Sequence, residues 1–325
     1  MRGTTRQHGL MWMVLRRVGV ALVLALVVSF LVYAATTVLP GDVAAAVLGR
    51  NATPEAVAAL REQLGLGDPF LARYAAWLGG LAHGDLGTSL AGTRMPVWDL
   101  ISTPLRNTAV LAAATLILLV PLSLAIGIAS GVRQGHAFDR AAAGVSLTLT
   151  AVPEFVVGAL LVLAFAVYLP VLPAVSLVSG DVNPLTVSEF LVLPVATLVI
   201  AGAAYLIRIV RISTIEAMTT DYVEAARLAG VPERRVVFRY AVRNSLAPTI
   251  QAVSATAQWL LGGIFVVEVL FAFPGVGNAL VTAVQVRDVP VIQAVAMLLA
   301  LAFILINLIA DIVTILVDPR LRTAA

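Results

Sequence analysis

Six apolar runs divide the chain, at residues 18–41, 107–132, 141–169, 190–212, 245–271 and 289–317. Each reaches about 20 residues, the length a helix needs to cross a hydrocarbon core of about 30 Å. The pattern therefore predicts an all-α membrane protein with six transmembrane helices. Two stretches interrupt it. Residues 40–106 carry Asp42, Glu55, Glu62, Asp68, Asp85 and Asp99 among scattered arginines. There, Thr53-Pro54 opens a helix that Gly65 closes, with Val57, Leu60 and Leu64 as its apolar stripe. Gly84-Asp85-Leu86-Gly87 reads as a turn. Residues 219–248 form a charged island between the fourth and fifth runs. The fourth run is short between Glu189 and Arg208, so its end is expected to rely on Arg208 and Arg211 reaching toward the interface.

Composition agrees with the pattern. The chain of 325 residues is 60% hydrophobic and 12% charged, with mean hydropathy +0.99. Soluble domains are nearer half apolar and a quarter charged. There is no cysteine, which excludes disulfides and thiol chemistry. All 21 basic residues are arginine, which excludes a Walker A lysine and nucleotide hydrolysis by this chain alone. His8, His83 and His136 lie outside every apolar run, so no metal site, cofactor or catalytic group is expected. The charged start with Arg2, Arg6, Arg16 and Arg17 resembles a signal peptide, but the apolar run after it is too long, and it reads as an uncleaved first span.

About fifteen of the arginines fall on one side of the six-span arrangement: the N-terminus, the loop with Arg133 and Arg140, Arg208 and Arg211 at the end of the fourth run, the island 219–248, and the tail with Arg320 and Arg322. That side is expected to be cytoplasmic and to hold both termini. The loop 170–189, with Asp181 and Glu189, then lies outside.

The island, TTDYVEAARLAGVPERRVVFRYAVRNSLAP, reads as two short helices around a sharp turn. Asp221 would N-cap the first, with Glu224 completing a capping box. Gly230 sits where a left-handed residue ends it, and Pro232 suits the first position of the second. Arg235, Arg239 and Arg243, four apart, share a face; that stripe fits anionic lipid headgroups and a partner protein equally well. Within this bracket, Glu224-Ala225-Ala226, Gly230, Asn244 and Pro248 resemble the EAA loop of ABC-importer permeases. In that family the loop is cytoplasmic and docks into a groove on the ATPase subunit. A capped hairpin lying on the membrane surface is the plainer alternative.

The resemblance extends along the chain. Pro40-Gly41-Asp42, Leu64-Gly65-Leu66 with Pro69 and Arg73-Tyr74, and Gly84-Asp85-Leu86-Gly87 with Ser89 are similar to the N-terminal part of dipeptide/oligopeptide-type permeases. So are Val267-Glu268, Phe271, Pro274-Gly275-Val276-Gly277, Arg287-Asp288, Asn307, Asp311 and Asp318-Pro319-Arg320-Leu321-Arg322. Where members often carry Arg-Thr-Ala-Arg, this chain has Glu224-Ala225-Ala226-Arg227. The resemblance implies a type I ABC importer permease in a bacterial inner membrane, with a second permease (a heterodimer), two ATPase subunits or domains and an extracytoplasmic substrate-binding protein as partners. Nucleic acid is not among them. The coupling residues carried over are Asp221, Glu224, Ala225, Ala226, Gly230, Arg235 and Arg239. Glu268, Pro274, Gly275, Gly277 and Asp288 fall in an extracytoplasmic loop. The expected division is 1–39 (N-terminus and first span), 40–106 (extracytoplasmic segment), 107–318 (core with the 219–248 loop) and 319–325 (tail).

Two other classes compete. A secondary transporter would use midplane carboxylates, for which Glu154, Glu268 and Asp311 are candidates. An intramembrane hydrolase would need a nucleophile and a base, and no run contains histidine or G-x-S-x-G. Glu154 follows Pro153 halfway along the third run, with no charge near it in sequence. It reads either as a group facing the translocation path or as a protonated carboxyl bonded to a neighbouring helix.

Overall fold

The computed structural model describes residues 4–38, 48, 53–63, 65–91, 94–176, 182 and 184–317. Pro40-Gly41-Asp42, Leu64, Asp181 and the tail 318–325 lie outside the described residues. The order is α1 (Thr4–Val38), α2 (Pro54–Gln63), α3 (Phe70–Ala82), α4 (Val97–Val132), α5 (Ala137–Thr150), α6 (Glu154–Val162, continued as a π-helix over Leu163–Tyr168), α7 (Glu189–Met218), α8 (Asp221–Leu228), α9 (Glu233–Arg235), α10 (Leu246–Leu270), α11 (Val276–Gln285) and α12 (Val289–Val317). Among the described residues the β-structure is one isolated bridge, Thr88 to Pro96.

Among the described residues five helices are long and apolar enough to cross a membrane singly; α5 and α6 make a sixth span only as a pair bent by 101°. The third run is thus a broken helix. Proline at 153 has no N–H and drives Val152 out of the α region. The last turn tightens accordingly, with Ala151 N–H on Thr148 O and Val152 N–H on Leu149 O, and α6 restarts after Pro153. The second run also starts earlier than its hydropathy implied. Helix α4 begins at Val97, so the expected boundary at 106/107 falls inside a helix.

The chain forms two compact units, one of residues 1–19, 109–273 and 305–325, the other of 20–108 and 274–304. The first unit is built around α7. Its window is 56% buried against 39% for α10, so α7 is the central span of this unit. Leu198, Leu206 and Val210 of α7 pack with Leu111 and Leu119 of α4 and with Leu260, Ile264 and Val267 of α10. Pro194 lies inside α7 and leaves the Phe190 carbonyl without its helical donor; the Ser176 hydroxyl donates to it at 2.7 Å. Helix α4 approaches α7 closely through glycine. A Cβ on Gly127 would meet Val210 Cβ at 2.7 Å, and one on Gly131 would meet Thr214 Cβ at 2.7 Å. This is small-xxx-small packing, which lets two backbones meet where lipid supplies no hydrophobic drive.

In the second unit α3 packs on α1 through rings. Phe30, Tyr33, Phe70, Tyr74 and Trp77 lie at centroid separations of 5.3–6.2 Å, and the Ser29 and Tyr74 hydroxyls are 2.8 Å apart. The turn at Gly84–Gly87 is as expected: both glycines have positive φ, and Gly87 N–H donates to Asp85 Oδ1 at 2.8 Å.

Candidate functional site

The island 219–248 is a helical hairpin. Helix α8 ends in a Schellman motif: Val231 N–H reaches Ala226 O at 3.1 Å and Gly230 N–H reaches Arg227 O at 2.9 Å, with Gly230 at φ +75°. The start of α8 differs from expectation. Thr220, not Asp221, is the N-cap, and no side chain caps it. The Thr220 hydroxyl donates instead to Ala217 O at 2.7 Å, so the Asp221/Glu224 capping box does not form. Pro232 is likewise the N-cap of α9, not its first residue.

The second arm runs from α9 through a π-helix at Val236–Ala241 to a last turn at Val242–Asn244. Val223, Ala226 and Val236 are buried between the arms, with Val231 and Tyr240 against them. Arg227 bridges the arms, its Nη2 2.8 Å and Nε 3.3 Å from the Glu233 carboxylate. That hydrogen bond holds the Glu233 carboxyl below its ordinary value, against a smaller effect of burial. The outer surface carries Asp221, Glu224, Ala225, Arg235, Arg239 and Arg243, all exposed. Leu228 and Phe238 are exposed there too, at 84% and 63%.

Helix α7 leads straight into this hairpin and is anchored just before it. Asp139, 2% exposed, accepts from Arg211 Nε at 2.5 Å and Nη2 at 2.9 Å, from Ser130 Oγ at 2.5 Å and from Gly135 N–H at 2.9 Å. Arg211 is therefore held in an ion pair, and the expectation that it snorkels is corrected. Arg208, by contrast, is exposed. The sequence reading missed this cluster, since Asp139 and Arg211 stand 72 positions apart. It also missed Gly127 and Gly131, for which G-x-x-x-G in an apolar segment was an available signal.

The break between α5 and α6 opens a cavity of about 460 Å³. Its walls include Thr150, Pro153, Glu154, Gly202, Tyr205, Thr256 and Trp259. Glu154 is not mid-helix but in the first turn of α6, half-buried. Its carboxylate has no hydrogen bond or ion pair among the described residues.

The other carboxylates are committed. Asp311 pairs with Arg17, Oδ2 to Nη1 at 2.5 Å. Glu268 was assigned to a loop; it lies in the last helical turn of α10 and is fully buried, because that helix continues to Leu270. Asp288 is also buried, at 3%, bonded to the Ser89 hydroxyl and to Leu90 N–H. Pro274 O accepts from Asn107 Nδ2 at 2.9 Å. Gly275 N-caps α11, with Gly277 buried in its first turn. That stretch is thus the opening of a helix, where the sequence reading had only a loop. Among the described residues no His/Cys/Asp/Glu group could hold a metal ion.

A polytopic helical bundle with a charged hairpin hung from its central span has the architecture of a type I transport permease. Residues 123–323 match the model of the binding-protein-dependent transport system inner membrane component, and residues 10–120 match the N-terminal membrane component of such systems. The chain belongs to this family and is a multi-pass inner-membrane permease subunit of a binding-protein-dependent ABC importer. It is 31% identical over 333 residues to the dipeptide transport system permease protein DppB of Escherichia coli K12, covering 95% of this chain and 98% of that protein. It is 34% identical over 310 residues to a protein of Brucella abortus named as a peptide transport system permease, and 32% over 309 residues to one of Sinorhizobium fredii named as a peptide ABC transporter permease, with the same coverage. The secondary-transporter alternative is set aside by this membership, and ATPase and binding-protein partners follow from it.

Proposed function

We propose that the chain forms half of a transmembrane path for peptides, paired with a second, non-identical permease, and that the hairpin 219–248 docks the ATPase. The observation that carries the docking is Leu228 and Phe238, exposed at 84% and 63% on a charge-rich hairpin. Large apolar side chains displayed outside the apolar spans fit burial by a partner protein. Glu224 and the Arg235/Arg239 surface flank them, and Gly230 sets the angle between the arms. The peptide cargo follows the printed names of the relatives. On this reading the hairpin and both termini are cytoplasmic, and this chain hydrolyses no ATP. Residues 40–106 and residues 273–278 face outward and help to seat the binding protein, and Glu154 faces the path.

The test is ATP-driven uptake by the reconstituted importer. A Cβ on Gly230 meets nothing within 4 Å, so Gly230→Asp changes the turn and its surface and not the packing. It should abolish uptake with the subunit still in the membrane. Full uptake by both Gly230→Asp and Glu224→Ala would remove the docking role. Topology has its own check in this cysteine-free chain: Asp85→Cys should react with an impermeant thiol reagent from outside, and reaction only from the inner face would invert the orientation.

A further inference from the structure

The cavity at the broken span has an unusual lining. Of its twelve lining residues, Glu154 is the one acidic or basic side chain. The rest are apolar or neutral, and two are aromatic: Tyr205, 37% exposed, and Trp259, 38% exposed. The Trp259 ring is laid down by glycines. It comes within 3.1 Å of where a Cβ on Gly202 would stand, and within 3.6 Å of one on Gly263. Neither the Glu154 carboxylate nor the Tyr205 hydroxyl has a hydrogen-bond partner among the described residues. An ionisable group inside a membrane bundle without a protein partner marks a ligand site.

The chemistry narrows what that ligand is. A lone carboxylate with no basic neighbour in the lining attracts a cation. A calcium ion would need six to eight oxygen ligands, and the lining supplies one carboxylate and a few hydroxyls. Two aromatic residues lining the same cavity as a carboxylate suit an organic ammonium, which bonds to the carboxylate and brings its remaining charge near the rings. The volume of about 460 Å³ lies within the range of small-molecule sites, about 300–1,000 Å³.

We propose that this cavity is a binding site for a primary ammonium group, the free amino end of a small peptide, with Glu154 as its counter-ion and Tyr205 and Trp259 as its walls. The proposal rests on the reading that Glu154 faces the path. It adds that the permease itself discriminates the charge state of the cargo's amino end, independently of the binding protein.

The experiment uses the assembled importer in nanodiscs without its binding protein. It is titrated with L-alanyl-L-alaninamide and, separately, with the N-acetyl derivative, which lacks the charge. Trp259 emission is isolated by subtracting a Trp259→Phe preparation. The free amine should saturate the signal at a concentration at least tenfold below the acetylated compound, and Glu154→Gln should erase that difference. Equal titrations of the two compounds in the wild type overturn the proposal, and that comparison needs only the Trp259→Phe reference beside the wild type. A preference that survives in Glu154→Gln overturns it too. Uptake with the binding protein restored reports separately on the path. A tenfold preference together with unchanged uptake of every cargo by Glu154→Gln would keep the ammonium site and remove it from the path.

Discussion

Replacing Asp139 tests how the central span is held. Its carboxylate receives four hydrogen bonds, two of them from Arg211. Asp139→Ala leaves the Arg211 guanidinium without its counter-charge and the Ser130 hydroxyl and Gly135 N–H without an acceptor. Removing one partner of a buried pair costs about 3–5 kcal/mol. Arg211 keeps 23% of its side chain exposed and regains some solvation, so the lower end applies, about 3 kcal/mol. Asp139→Asn keeps the shape but turns one acceptor oxygen into a donor, which faces Arg211 in either orientation, with Ser130 or Gly135 beside it; it should recover less than half of the loss. Asp139→Ala with Arg211→Met removes both charges and should recover most of it, since apolar replacement of a buried pair is often neutral. The assay is thermal unfolding of the purified subunit in mild detergent. At about 2 °C per kcal/mol the single variant should melt about 6 °C below wild type. A single variant within about 1 °C, or a double variant no better than the single, would refute the argument that Arg211 depends on Asp139.

Other predictions rest on separate features. Gly131→Val places a branched side chain against Thr214 and the Arg211 carbonyl, the latter 3.0 Å from the new Cβ; overpacking should cost about 3 kcal/mol, seen as a lowered melting point. Ala272 closes α10 in the left-handed region at φ 48° and is exposed. Ala272→Gly relieves about 1–2 kcal/mol of strain against about 0.4–1 kcal/mol of added unfolded-state entropy, so the melting point should rise slightly. The Arg227–Glu233 bridge depresses the Glu233 pKa, so its contribution is present above the ordinary carboxylate range and lost only as pH falls through the lowered value. Arg227→Ala should therefore change stability by under about 1 kcal/mol at neutral pH, with a difference that vanishes in acid.

Local patterns carried most of the fold. The apolar runs located the spans, and the Gly230–Pro232 pair located the turn of the hairpin, because a left-handed residue and a proline act within a few positions of themselves. What failed depended on choices between nearby alternatives or on distant residues. Thr220 and Asp221 are both good caps, and the Thr220 hydroxyl bond to Ala217 O decided between them. Pro153 in an apolar run fits a kink as well as a break; a bend of 101° is set by what α5 and α6 pack against. Glu268 looked like a loop residue because charges usually are, and the buried acceptor role of Asp288 toward Ser89 and Leu90 has no local signature. The cavity could not be read either, since Glu154, Tyr205 and Trp259 come from three different helices.

These pieces lie along one rod. Helix α7 spans 30 residues, about 45 Å. It carries Gly202 and Tyr205 in the cavity wall, Arg211 in the ion pair, and at its end the Thr219–Thr220 junction into the hairpin. A helix bonded without interruption from Arg211 to Met218 moves as one piece, so displacement of the hairpin must shift the cavity wall or strain the Asp139 pair. Loosening the rod between them should uncouple the two ends. Ile212 is the place to do so, because it is 41% exposed and loses little packing when truncated. Ile212→Gly adds backbone freedom at a cost of about 1 kcal/mol relative to Ile212→Ala, which removes the same side chain and keeps the helix stiff. In the reconstituted importer, Ile212→Gly should hydrolyse ATP while transporting several-fold less cargo per ATP than Ile212→Ala. Equal transport per ATP by the two variants would show that α7 does not act as the connecting rod, and the coupling would then have to run through α10, which leaves the other end of the same hairpin.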